Sequence, residues 1–207
     1  MTNHRQLITM SGAAVVLAFA AGCSGSLAAV PATTNPSPTA PALPHSGAPK
    51  VQNPLPASVL AGDPCQQALT ADQLEKILGT APQGKRDDAS IGPACNWTNA
   101  DTAAVVGVGY TSQTHQGLSA LYQNTKPQAT VWKELAPIQG FPAVAHSTYE
   151  SGTNTGFCQV SVGIADDLSF DASLGLSTAK IGKVDPCGVA EQVADMVVTN
   201  LRQKAGA

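Results

Sequence analysis

The stretch DPCQQALTADQL runs from Asp63 to Leu74, and a similar stretch, DPCGVAEQVADMV, runs from Asp185 to Val197. In each stretch an aspartate can cap the free N–H groups of a helix, and proline is favoured at the first helical position. The apolar residues that follow recur at helical spacing. The two stretches therefore predict a helix at each end of a folded domain, with a cysteine in the first turn of each helix.

These repeated cysteines have two interpretations. A thiol at a helix N-terminus has a lowered pKa and is a better nucleophile, as in redox or acyl-transfer enzymes. However, Cys65 and Cys187 belong to no C-x-x-C pair and to no recognisable nucleophile motif. Exported domains use even sets of cysteines as structural disulfides. We favour that interpretation for the four cysteines of the domain, which are Cys65, Cys95, Cys158 and Cys187.

Four cysteines allow three pairings, and we predict the local one, Cys65–Cys95 with Cys158–Cys187. Each bond would join a helix start to a neighbouring strand and close about 30 residues, which contributes roughly 3–4 kcal/mol. The nested pairing, Cys65–Cys187 with Cys95–Cys158, closes longer loops and would contribute slightly more. Loop entropy therefore does not choose between these two pairings.

The N-terminus predicts export. His4 and Arg5 precede an apolar run from Leu7 to Ala21, and its length of about 15 residues is below the roughly 20 that span a bilayer. Residues 1–22 are therefore typical of a signal peptide. The small residues before Cys23 match a lipobox, which predicts that Cys23 carries diacylglycerol and palmitate. Lipidation would anchor the protein to the extracytoplasmic face of the cell membrane. Ordinary signal cleavage, which would release a soluble protein, is the alternative.

The composition changes after the signal peptide. Proline, alanine, serine and threonine dominate up to about Leu60, Lys50 is the only charged residue there, and no apolar periodicity is present. Such a segment buries too little apolar surface to offset the entropy of folding. Residues 23–61 are therefore predicted to be a disordered tether that begins at the lipidated Cys23, and residues 62–207 to be a single domain.

The rest of the chain predicts an α+β fold. Strand signals lie in CNWTN, AAVVGVGY, ATVWKEL and GFCQVSVGIA, and DLSFDASL follows the last of these across a turn at Asp166 and Asp167. Residues 80–93 are predicted to be a loop, and residues 116–124 a helix. The expected architecture is an antiparallel sheet of about five strands packed with two or three helices and held by two disulfides.

Several of these motifs occur together in a known family. The lipobox cysteine, the proline-rich spacer, DPC with LTADQLEKILG, CNW, CQVSVGIA and DPCGVAEQVADMVVTNL appear in that order. With these motifs the chain resembles the actinobacterial lipoprotein family of domain of unknown function 3558. The resemblance covers the folded region and implies an envelope lipoprotein of mycobacterial type. It implies no established activity and carries over no catalytic residue.

The sequence predicts no catalytic residue, metal site or cofactor. His115 and His146 lack the closely spaced partners of a metal site, so we interpret them as solvated or locally hydrogen-bonded. Ser161 and Ser169 lack a nucleophile elbow. The formal net charge is −3 and no basic cluster is present, which argues against nucleic acid as a partner.

Two classes of function remain. The first is a noncatalytic module of the cell envelope that binds an envelope protein or an apolar ligand, with Trp97 and Trp132 as candidates to line its groove. The second is an envelope hydrolase or transferase whose site forms no motif. The absence of a nucleophile–base motif favours the first. A cleft where an acid, a histidine and a serine converge would favour the enzyme, and an apolar cleft around either tryptophan would favour binding.

Overall fold

A computed structural model gives the structure of the protein and describes residues 41–149 and 156–206. The predicted signal peptide and Cys23 lie outside this part of the chain. The described α-helices are α1 (Pro64–Gln67), α2 (Ala71–Leu78), α3 (Gly117–Asn124) and α4 (Pro186–Ala205), with 3-10 turns at Ala57–Leu60, Lys126–Gln128 and Thr178–Lys180. The strands are β1 (Lys85–Ala89), β2 (Gly92–Thr98), β3 (Val105–Thr111), β4 (Val131–Glu134), β5 (Ala143–Ser147), β6 (Phe157–Ala165) and β7 (Leu168–Gly175).

The strands form one antiparallel sheet in the order β1-β2-β3-β7-β6-β5-β4. Near its centre, β6 and β7 make a hairpin that turns at Asp166 and Asp167, as predicted from the sequence. The α+β class with an antiparallel sheet is confirmed. The predicted numbers are wrong, because the described residues form seven strands rather than about five and four α-helices rather than two or three.

Both DPC segments begin helices in the predicted way. Oδ1 of Asp63 accepts a hydrogen bond from the N–H of Cys65 at 2.9 Å, and Oδ1 of Asp185 accepts one from the N–H of Cys187 at 3.0 Å. Each bond satisfies a backbone donor that the helix itself leaves free. The aspartates therefore hold both cysteines in rigid first turns.

Each of these cysteines is bonded to a strand. Cys65 of α1 pairs with Cys95 of β2, with 5.1 Å between their Cα atoms, and Cys187 of α4 pairs with Cys158 of β6, with 5.0 Å. This is the local pairing, so the prediction is confirmed and the nested alternative is not adopted. Neither helix start carries a free thiol.

The pairing register places both disulfides on the same face of the sheet. Side chains of directly paired residues in neighbouring strands share a face. Cys95 pairs with Val108, Val108 with Ala172, and Ala172 with Val160, which lies two residues beyond Cys158. We call this the α4 face, because α4 packs against it. The opposite face, against which α3 packs, is the α3 face.

Helix α4 covers the α4 face with one apolar stripe, as its sequence periodicity predicts. The stripe is buried and consists of Ala190, Val193, Ala194, Val197, Val198 and Leu201. Full burial of one such valine or leucine side chain contributes about 1.5–3 kcal/mol. The main hydrophobic core therefore lies between α4 and the sheet.

Strand β1 occupies part of the region that was expected to be a loop. Its residues, Lys85 to Ala89, are all exposed and show no apolar alternation. They form a strand because their backbones pair with β2, from Lys85 opposite Asn96 to Ala89 opposite Gly92. The loop prediction for residues 80–93 is wrong over these five residues, since main-chain pairing leaves no pattern in the side chains.

Residues 41–61, which we call the strap, pack on the domain, although they were predicted to belong to a disordered tether. Val51, Leu55, Val59 and Leu60 are buried in the main core. The N–H of Leu55 also donates to the carbonyl of Ile164 at 2.8 Å. The prediction that all of residues 23–61 form a disordered tether is therefore wrong for residues 41–61, and residues 24–40 lie outside the described chain. A few apolar side chains dock on an existing core without any periodicity of their own.

Candidate functional site

Two glycines allow α3 to lie close to the β6–β7 hairpin. Gly117, the first residue of α3, has φ +48°, and a Cβ there would lie 2.5 Å from the carbonyl oxygen of Asp166. At Gly163 of β6, a Cβ would lie 3.0 Å from the side chain of Leu118. A positive φ favours glycine at position 117, and the lack of a Cβ permits the close approach at both positions. The close contact fixes one end of α3 against the α3 face.

An open cleft of about 400 Å³ lies between α3 and the α3 face, and we call it the α3 cleft. This volume is within the range of small-molecule sites. Leu121 of α3 lines one side, and Tyr149 and Phe157 line another, where their rings meet edge to face with centroids 5.1 Å apart. The exposed side chain of Ile91 also lines the cleft. The walls are thus largely apolar.

A row of hydrogen-bonded side chains lines the α3 cleft, and we call it the polar row. It consists of Thr111, Asp171, Ser161 and His146, which come from the consecutive strands β3, β7, β6 and β5. Oγ1 of Thr111 donates to Oδ2 of Asp171 at 3.1 Å, and Oγ of Ser161 donates to Oδ1 of the same carboxylate. Nε2 of His146 lies 2.9 Å from Oγ of Ser161. The row thus brings an acid, a serine and a histidine together.

The hydrogen bonds of the polar row fix the state of His146. Burial lowers the pKa of His146, and the nearby charge of Asp171 only partly opposes this effect. The imidazole is therefore neutral at neutral pH. Ser161 has one hydroxyl proton, which it donates to Asp171, so its oxygen accepts the proton of His146 Nε2. His146 adds no positive charge to the cleft.

The order of these groups differs from that of a hydrolase. In a serine triad the histidine lies between the serine and the acid, and it removes the serine proton. Here Ser161 lies between His146 and Asp171, its proton points to the carboxylate, and its side chain is only 1% exposed. The acid, the histidine and the serine converge, but Ser161 is neither accessible nor paired with a histidine base. The arrangement suits recognition better than nucleophilic attack.

The two tryptophans do not line the α3 cleft. Trp97 is 1% exposed and belongs to the main core, so its assignment as a groove residue is wrong. Trp132 is half-buried on β4 and packs edge to face on Tyr122, with centroids 5.1 Å apart. Its ring centroid lies 6.1 Å from that of His146. Trp132 therefore lies next to His146, which lines the cleft, but does not line the cleft itself.

The other residues considered from the sequence lie outside the polar row. His115 is exposed, with Nδ1 3.7 Å from Oδ2 of Asp167, and Ser169 lines the cleft next to Asp171. Within residues 41–149 and 156–206, no group of His, Cys, Asp and Glu side chains is placed to hold a metal ion. Likewise, none of the helices formed by these residues has the length and apolar character needed to cross a membrane.

Sequence reasoning missed the roles of Thr111, Ser161 and Asp171. The available signal was a polar residue on one side of an otherwise apolar strand, such as Ser161 in CQVSVGIA and Asp171 in SFDASL. Their meeting depends on strand register and order, since Ser161 stands directly opposite Asp171. A single sequence does not reveal which strands are neighbours.

One protein family has a model that matches this chain. The family model described as protein of unknown function (DUF3558) matches residues 18–200. The chain belongs to this family. The DUF3558 match covers nearly all of the sequence, including the elements that carry the polar row. The comparison with curated proteins returned no match, and the comparison with solved structures returned none.

Proposed function

We propose that this DUF3558 protein is a lipid-anchored, extracytoplasmic module of the actinobacterial cell envelope that binds a small ligand in the α3 cleft without transforming it. The observation that carries the proposal is the cleft itself, with apolar walls and a hydrogen-bonded polar row. Sites for small molecules combine these two properties. Binding of an envelope protein, instead of a small ligand, would also be a noncatalytic binding function.

The N-terminal sequence supports the anchor. Cys23 follows an apolar run and small residues, as expected for lipidation. The N–H of His45 donates to Oγ of Ser119 at 3.0 Å and so ties the strap to the domain, and the chain between Cys23 and His45 spans at most about 75 Å when fully extended. Replacing Cys23 with Ser should release the protein from the membrane fraction or leave an uncleaved precursor. Membrane retention of a correctly cleaved Cys23→Ser protein would refute the anchor.

Ligand binding is tested with the mature Cys23→Ser protein, which needs no detergent. After incubation with an extract of the envelope, native mass spectrometry should detect a small-molecule adduct. Ala120→Trp places a bulky ring in the cleft and should abolish the adduct, because Ala120 lines it. Gln123→Trp is the matched control on the exposed side of the same helix. An adduct retained by Ala120→Trp would place binding elsewhere.

A hydrolase or transferase remains the second candidate, because His146, Ser161 and Asp171 converge in the cleft. A fluorophosphonate probe and 4-nitrophenyl esters test this alternative. Since Ser161 is buried and its proton points to Asp171, we expect neither labelling nor turnover. Labelling that disappears in Ser161→Ala would establish the enzyme and contradict the binding proposal.

A further inference from the structure

Among the described residues that line the α3 cleft, Asp171 is the one with a carboxylate side chain. Its two oxygens accept hydrogen bonds from the neutral hydroxyl groups of Ser161 and Thr111. A carboxylate offers about four lone-pair positions, so positions remain for a ligand. The side chain of Asp171 is half-buried and lines the cleft.

Within residues 41–149 and 156–206, no cationic side chain faces this carboxylate from the walls of the cleft. Of the described residues that line the cleft, none is lysine or arginine, and the one histidine, His146, is neutral at neutral pH because burial lowers its pKa. A carboxylate in largely apolar surroundings is costly when no positive charge accompanies it. A bound cation would supply that charge.

The remaining walls favour an apolar body next to that charge. Leu121 lies on one side, and the edge-to-face pair of Tyr149 and Phe157 lies on another. Aromatic faces attract both apolar groups and cations. The volume of about 400 Å³ accommodates a ring with a short chain, but not a large polymer segment.

We propose that the α3 cleft is selective for an organic amine, a ligand with an ammonium group that binds the Asp171 carboxylate and an apolar body that contacts Leu121, Tyr149 and Phe157. This inference rests on the proposed binding function and adds the chemical class of the ligand. Anions are disfavoured by the same charge, and neutral ligands gain only ordinary hydrogen bonds.

Three compounds with the same apolar body test this selectivity. 4-Phenylbutylamine, 4-phenylbutanol and 5-phenylvalerate each carry a phenyl ring on four methylene groups, and their head groups are an ammonium, a hydroxyl and a carboxylate. Calorimetric titration of the mature Cys23→Ser protein at pH 7.5 should give at least tenfold tighter binding of the amine than of the alcohol, and no detectable binding of the carboxylate. Equal affinities for the amine and the alcohol, or tighter binding of the carboxylate, would overturn the inference.

Variants locate the selectivity at Asp171. Asp171→Asn should bind the amine and the alcohol with similar affinity, whereas Asp171→Glu, which keeps the charge, should retain a preference for the amine. Asp167→Asn is the matched control, because it removes one exposed carboxylate from the nearby turn. Thermal unfolding of each variant identifies loss of fold. An unchanged amine preference in folded Asp171→Asn would contradict the proposed contact.

This experiment separates the ligand class from the binding function. If the wild-type protein binds none of the three compounds but takes up an envelope molecule that Ala120→Trp excludes, amine selectivity is wrong and the binding function stands. If the protein takes up neither these compounds nor any envelope molecule, the binding function itself is contradicted.

Discussion

Burial of one histidine couples the polar row to pH. His146 is 5% exposed, and burial lowers its pKa, while its neutral ring donates to Ser161. A group with a lowered pKa in the folded protein stabilises the fold above its unfolded value and loses this contribution as the pH falls. The ordinary pKa of histidine is about 6.5, so His146 makes the stability of the fold depend on pH at values below neutrality.

We expect the free energy of unfolding to decrease between pH 7 and pH 5, because the unfolded chain takes up a proton at His146 more readily than the folded protein does. In His146→Gln this part of the pH dependence should disappear. His115→Gln is the control, since His115 is exposed. Urea unfolding at several pH values measures the effect, and parallel curves for wild type and His146→Gln would contradict it.

The start of α3 depends on a glycine with a positive φ. Gly117→Ala should cost more than Gly140→Ala, although both glycines have positive φ. At Gly140 no atom lies within 4 Å of the added Cβ, so only the backbone cost of about 1–2 kcal/mol applies. At Gly117 the Cβ also meets the carbonyl of Asp166, which should add roughly 1–3 kcal/mol. If chemical unfolding shows the same loss of free energy of unfolding for both variants, the contact between the added Cβ and the carbonyl of Asp166 has no cost.

The elements divide into those with a local signal and those without one. Helix α4 was predictable because Asp185, Pro186 and its apolar stripe are all local features. Strand β6 was predictable from its alternation. Strand β1 was not, since its five exposed residues depend on β2 for their conformation. The polar row was not predictable either, because it exists only when four strands have taken their final order.

The side chain of Asp185 caps the N-terminus of α4. Asp185→Ala removes the acceptor for the N–H groups of Cys187 and Gly188 and should lower the free energy of unfolding by about 1 kcal/mol. Asp185→Asn should stay close to the wild type, because asparagine caps as well as aspartate. Denaturant unfolding of the oxidised proteins measures both. A loss as large in Asp185→Asn as in Asp185→Ala would indicate that charge, not capping, matters.

The strap extends the folded unit toward the N-terminus. The ammonium group of Lys204 near the end of α4 donates to the carbonyls of Val59 and Ala61 at 3.1 and 2.7 Å. The N–H of Val51 donates to Asp166 at 2.9 Å. These contacts join the strap to both the last helix and the central hairpin. Burial of its apolar residues was not predicted, because the segment is rich in proline and its few apolar residues show no periodicity.

Limited proteolysis tests the strap. The native protein should resist cleavage between residues 41 and 61, because this segment packs on the core. Leu55→Ala should lower the free energy of unfolding by about 2–5 kcal/mol. Gln52→Ala, at an exposed position of the same segment, should change it by less than about 0.5 kcal/mol. Early cleavage within the strap of the wild type would contradict the packing.

The placement of both disulfides on the α4 face has an evolutionary consequence. That face holds the main core and the covalent bonds to α1 and α4. Helix α3 and the wall residues Leu121 and Tyr149 are joined to the sheet by noncovalent contacts alone. Substitutions that alter the cleft thus leave the most stabilising half of the molecule untouched. If the α3 cleft binds a ligand as proposed, its ligand preference can change through substitutions in α3 and its surroundings, with folding secured by the opposite side of the sheet.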